Sequence, residues 1–151
     1  MNPLTETWQI HNNINLYLLE SIEEENLSDQ ASSKGRSVGE QFAHMHGVRM
    51  MWLKVADPAL LEDLEKIDKQ SITKAYLTEN LKQSSKAIEQ LFEKALPDGK
   101  IKGFKPHATG FLGYLISHES HHRGQIMLAL KQSGHMVSQK IQYGIWEWGV
   151  R

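Results

Sequence analysis

The sequence predicts an all-α protein, a four-helix bundle with a short C-terminal segment. Three observations carry that expectation. Four long stretches repeat apolar residues at the three- and four-residue spacing of a helix. No convincing strand alternation is present outside the C-terminal tail, and the links between the stretches are mostly short and polar, with Pro and Gly. The chain has 151 residues, the size of one ordinary domain, so residues 1-151 are read as a single helical domain without repeats or low-complexity tracts.

The first helix is expected from about Thr5 to about Glu25, with Trp8, Leu16, Leu19 and Ile22 among its buried residues. The acidic run Glu23 to Glu25 stands where the helix dipole disfavours negative charge, so this end should fray. A polar connection follows from Asn26 to Arg36. Ser37-Val38-Gly39-Glu40 has the S-x-x-E form of a capping box and opens a second helix reaching about Val55, before Asp57-Pro58. A short helical piece is expected from Pro58 to Ile67. The third long helix, Thr73 to Ala95, lines up Leu77, Leu81, Ile88, Leu91 and Phe92 and stops at Leu96-Pro97-Asp98-Gly99. The fourth runs from about Thr109 to Ser133, with Gly134 as its C-terminal cap. The tail, His135 to Arg151, fits helix by one period and strand by another, and is expected to fold back over one end of the core.

Composition narrows the function. Apolar residues make up 40% and charged residues 23%, and the formal charge is -1 with no basic block. That balance gives no electrostatic reason to expect nucleic acid or an anionic membrane as partner. No apolar run approaches the length of a membrane span and the start lacks a signal-peptide pattern, so the expected location is cytoplasmic. Cysteine is absent, which removes thiolate ligands, cysteine nucleophiles and disulfides from the chemistry.

The chemistry concentrates in ISHESHHRGQI, Ile116 to Ile126. His118 and His122 lie on one line of the fourth helix, among Phe111, Leu115, Ile126 and Ala129. Two inward imidazoles four residues apart are spaced to meet one metal ion. His121 falls on the rim, toward Tyr114 and Leu128. A third ligand must come from elsewhere, and the second helix offers His44 or His46, which point in nearly opposite directions. Periodicity favours His44, whose stripe continues through Val48, Met51, Trp52 and Val55, without closing the choice. His11, His107 and His135 read as solvated surface residues, and the methionines as packing.

Literally, His118-Glu119-Ser120-His121-His122 also satisfies H-E-x-x-H, with Glu119 as the general base of a zinc protease. The extended motif fails, because Gln125 is the third residue after His122 and no histidine follows at the required spacing. Glu147, the remaining acidic candidate, lies between two tryptophans of the tail. No strand is available to bind a peptide.

The segments SVGEQFAHMHGVRMMWL and LISHESHHRGQIMLAL, with H-x-x-x-H-R-G-Q-I in the second, resemble the DinB-like (DinB/YfiT) superfamily of four-helix metal-binding proteins, and the helix plan extends the likeness over nearly the whole chain. The resemblance implies a divalent metal ion, zinc or nickel, held by His44, His118 and His122. It also implies activities that range from metal-dependent thiol transferases and a thiol-dependent isomerase to none assigned.

The reading that follows is an enzyme whose metal keeps an open position for a low-molecular-weight thiol or for water, giving a thiol transferase or a hydrolase acting on a small-molecule substrate. Glu119 would take a proton or orient a ligand, or else be an ordinary polar residue at the helix edge. Arg123 and Gln125 would bind a substrate carboxylate or orient His122. The competing readings are a non-catalytic, stress-related protein whose metal ties two helices together, and a metal-free bundle. Apolar residues around nearly all of the second helix point to a covering subunit, and a homodimer is expected.

Overall fold

The computed structural model describes all 151 residues. Four long helices form it: α1 (Pro3–Glu20), α2 (Val38–Ala56), α3 (Lys74–Ala95) and α4 (Ala108–Gln132), followed by a short α5 (Gln139–Gly144). Local chemistry sets the helix starts. Asn2, Ser37, Thr73 and Ser138 accept a hydrogen bond from the third residue onward at the starts of α1, α2, α3 and α5. At α2 the expected capping box is complete, with Glu40 accepting from the Ser37 backbone N–H. His107, expected to be merely a solvated loop residue, takes the same role for α4 and accepts from the Gly110 N–H at 2.9 Å. The α1 helix ends at Glu20, short of the acidic run, which turns instead into a 3₁₀ segment (Glu24–Ser28).

Two apolar cores occupy the two ends of the bundle. One joins Leu18, Phe42, Met45, Leu77, Leu81, Ile126 and Leu130. The other joins Trp8, Leu53, Ile88, Phe92, Phe111 and Leu115. The order in which each helix visits the two ends gives its direction. Both α2 and α3 start at the Leu18 end and finish at the Trp8 end, so they run parallel, whereas α1 and α4 run the other way. Each of α2 and α3 packs on a third helix as well, α2 on α4 and α3 on α1.

Parallel neighbours need a connection that returns along the bundle. The α2–α3 link does this. Its Leu60, Leu61 and Leu64 pack on the Trp8 end, and Ile67 is buried at the Leu18 end. Only its first part is helical, a 3₁₀ turn (Pro58–Leu61), where the sequence suggested a helical piece reaching Ile67. The tail resolves as helix: Ile145 is buried and Trp148 packs on the Leu18 end, but Tyr143 and Trp146 stay largely exposed. No helix is long and apolar enough to cross a membrane.

Candidate metal centre

Between the two cores, the bundle is crossed by a polar layer to which every long helix contributes: His11, Asn12 and Asn15 from α1, Arg49 from α2, Ser84 from α3, and Glu119 and Arg123 from α4. The three histidines come together beside this layer, where α2 and α4 meet.

His44, His118 and His122 each bring a ring nitrogen into one group whose members lie within 4.8 Å of one another. The ring centroids of His44 lie 5.4 Å from those of His118 and 4.5 Å from those of His122. Within α4 the i, i+4 pair sets Nε2 of His118 3.1 Å from Nε2 of His122. His122 is buried, and the other two are half-buried.

Hydrogen bonding fixes how His122 faces the group. Its Nδ1 lies 2.7 Å from Gln41 Oε1 and 3.1 Å from Gln125 Oε1. A carbonyl oxygen only accepts, so Nδ1 carries the proton and Nε2 presents a lone pair to the centre. An imidazole anchored in this way through its far nitrogen is the usual arrangement of a metal-ligating histidine. Burial pushes the pKa of all three imidazoles below the ordinary histidine value; the Arg36 charge adds to the lowering in each, while the Glu119 carboxylate opposes it at His118. His122, beside both His118 and His44, is taken down to about 4. The three are therefore neutral at pH 7, the form a cation requires. Imidazole donors suit several divalent metals, zinc, nickel, copper and iron among them.

His46 is excluded from the group. It is fully buried on the opposite side of α2, and its Nε2 donates to the Glu65 carbonyl in the α2–α3 link at 2.7 Å. The periodicity argument thus favoured His44 through a stripe that is not the core one. Val48 and Trp52 are only half-buried, and Met51 and Val55 are 52% and 46% exposed. The deep stripe of α2 runs through Phe42, Met45, Arg49 and Leu53.

Glu119 corrects a second expectation. Neither a residue facing the group as a proton acceptor nor an ordinary polar residue at the helix edge, it is 1% exposed and turned into the bundle. Oε2 accepts from Arg49 Nε at 2.8 Å, while Oε1 accepts from Arg49 Nη2 at 2.7 Å, from Asn15 at 2.9 Å and from His11 Nε2 at 3.1 Å. Burial alone would raise its pKa, but the Arg49 guanidinium and these donors hold it far below the usual carboxylate range. Both carboxylate oxygens are thus committed within the layer. His11, expected on the surface, is fully buried in this layer because its helix face meets Glu119 rather than water. Arg123 likewise turns inward and donates to Asn15 Oδ1 at 2.7 Å and Ser120 Oγ at 3.1 Å. Its expected alternatives, a substrate carboxylate or His122, are not among these partners. Of the pair, Gln125 alone reaches His122. Gln41 was not anticipated, although its place three residues before His44 on α2 was a readable signal.

Similarity to known proteins agrees with this arrangement. Residues 1–141 match the model of the DinB family. A DinB-like protein from Bacillus subtilis has a crystal structure of the same fold, with a TM-score of 0.62 at 20% identity over 89% of this chain and 94% of that one. A DinB-family structure from Exiguobacterium sibiricum gives the same TM-score and identity over 93% and 99%. No curated protein matches the chain. With its family model matched over all but the last ten residues, an all-helical bundle in common with both structures, and a three-histidine cluster between α2 and α4, the chain belongs to the DinB family.

Proposed function

We propose that His44, His118 and His122 hold a divalent metal ion, zinc or nickel, and that the protein is a metal-dependent enzyme. Its reaction would use a low-molecular-weight thiol or water on a small-molecule substrate, as a thiol transferase or a hydrolase. The observation that carries this reading is the convergence of three imidazole nitrogens from two helices within 4.8 Å. Three protein ligands are one short of the four that close a structural zinc site, and leave a place for an exogenous ligand. His44 and His118 are half-buried, so that place is reached from the α2–α4 side.

A divalent cation in this position supplies Lewis acidity, lowering the pKa of a coordinated thiol or water toward neutrality. The chain's own contribution is to keep the three imidazoles neutral and to orient His122 through Gln41 and Gln125. Tyr114 flanks His118, its ring nearly parallel at 6.4 Å between centroids and met edge-on by Trp52. Glu119 is assigned to holding the site rather than to proton transfer.

Metal analysis of the purified chain tests the site. The wild type should carry about one divalent ion per chain, and His44→Ala, His118→Ala and His122→Ala should each lose most of it. His46→Ala and His121→Ala should retain it. A wild type without stoichiometric metal, or a loss confined to His46→Ala, would sink the ligand assignment. Turnover of a thiol with an electrophile, lost with the metal and restored with it, distinguishes an enzyme from a protein that uses its metal only to tie α2 to α4.

A further inference from the structure

We propose that Arg49 and Glu119 are positioning residues: their buried pair fixes α4 against α2, so that the three imidazoles stand in binding geometry before any cation arrives. This rests on the metal reading above and adds to it the device that sets the site's dimensions.

The geometry of one guanidinium carries the argument. Arg49 is fully buried on α2, and all five of its N–H groups are committed. Nε and one N–H of Nη2 form a two-point fork on Glu119 of α4. The other N–H of Nη2 reaches Asn12 Oδ1 of α1 at 2.9 Å. Nη1 donates to the Leu81 carbonyl and to Ser84 Oγ of α3, at 3.0 and 3.1 Å. One side chain therefore bonds to the three other long helices from the fourth. Glu119, its main partner, is the residue next to His118, and Arg49 follows His44 by five residues.

That placement explains why an ion pair stands where an apolar contact would serve. Charges buried in a core lose hydration that their attraction barely repays, and apolar residues of similar size commonly hold a bundle as well. Apolar ridges, however, tolerate small slips along and around the helix axis. A slide of α4 by about 1.5 Å along its axis, the rise of one residue, is enough to change the spacing between His118 and His44. A forked guanidinium–carboxylate pair has one geometry, so a slip of that size would break it. His118 adjoins Glu119 on α4, and His44 stands five residues from Arg49 on α2, about 7.5 Å along the axis, so the fixed point acts close to both.

The test is a cobalt(II) titration of the chelated protein, followed by visible absorption, with folding checked by circular dichroism and melting. Arg49→Lys keeps the charge and removes the fork. Glu119→Gln keeps the shape and removes the charge. Both are expected to remain helical, to bind cobalt with a dissociation constant raised about tenfold or more, and to shift its absorption bands. Leu91→Ala, a core truncation at the Trp8 end away from the histidines, is the control, expected to melt earlier yet bind cobalt as the wild type does. Wild-type affinity and spectrum in whichever of Arg49→Lys and Glu119→Gln folds would overturn the proposal, and so would an equal loss of affinity in Leu91→Ala. A wild type that takes up no cobalt would instead overturn the metal reading, and this inference with it.

Discussion

Gln41 and His122 show how much a single hydrogen bond decides at the residue scale. Because the amide oxygen holds the Nδ1 proton, Nε2 is left to face the centre. Gln41→Leu should therefore weaken metal binding by about tenfold or more while leaving the melting temperature within a few degrees, as competition with a chromogenic chelator would measure. Acid should act through the histidines. His11, His44, His46, His118 and His122 all have pKa values lowered in the folded chain, chiefly by burial. Below about pH 6.5, the unfolded histidine value, the unfolded chain takes up protons that the folded one refuses, so stability must fall as pH falls. For His122 that loss continues to about pH 4. The metal-free protein should accordingly melt progressively lower from about pH 6.5 downward, and a melting temperature unchanged between pH 7 and pH 5 would contradict the buried, neutral state of these rings. The histidine pair on α4 was legible from its spacing alone. The environments of His11 and Glu119 were not, because each is defined by a partner on another helix.

Among the elements, the helices that the sequence marked most clearly are those whose starts carry a side-chain cap. The α2 capping box makes a measurable contribution: Ser37→Ala should cost about 1 kcal/mol of stability, read as a shift in the denaturant midpoint. The α3–α4 loop depends on a glycine instead. Gly103 adopts φ +83°, and a Cβ there would come within 2.4 Å of Val55 Cγ1 on α2. Gly103→Ala should destabilise by about 1 kcal/mol or more, and trimming Val55 to Ala should recover only the part due to contact, since the positive φ remains. The boundaries of α2, α3 and α4 were read to within two residues, whereas α1 stops five residues before the expected Glu25. The direction of the helices was not, since a link's length and polarity do not say which end of the bundle it reaches. The α2–α3 link is long because it returns from one apolar core to the other.

For the whole molecule, two apolar cores and the Arg49 layer tie the four long helices together through contacts that involve none of the three clustered histidines. Chelation should therefore leave the helical signal in circular dichroism essentially unchanged and lower the melting temperature only by the free energy of ligand binding. A collapse of helix content on chelation would show that the metal is a folding element. The homodimer expected from the apolar girth of α2 is a separate question of assembly: it would have to cover Met51 and Val55, and light scattering that gives the mass of one chain at micromolar concentration would dispose of it.

By itself the sequence determined the helical class, the four long elements, the likeness to the DinB family and an imidazole pair on one helix, because caps, periodicity and an i, i+4 spacing are properties of a single segment. Only the tertiary structure decided that α2 and α3 run parallel, that His44 rather than His46 joins the pair, and that Glu119 is bound within the interior by Arg49, Asn15 and His11. Each of those depends on which faces of separate helices meet, and that is set by burial and pairing across the bundle, beyond what any one helix encodes.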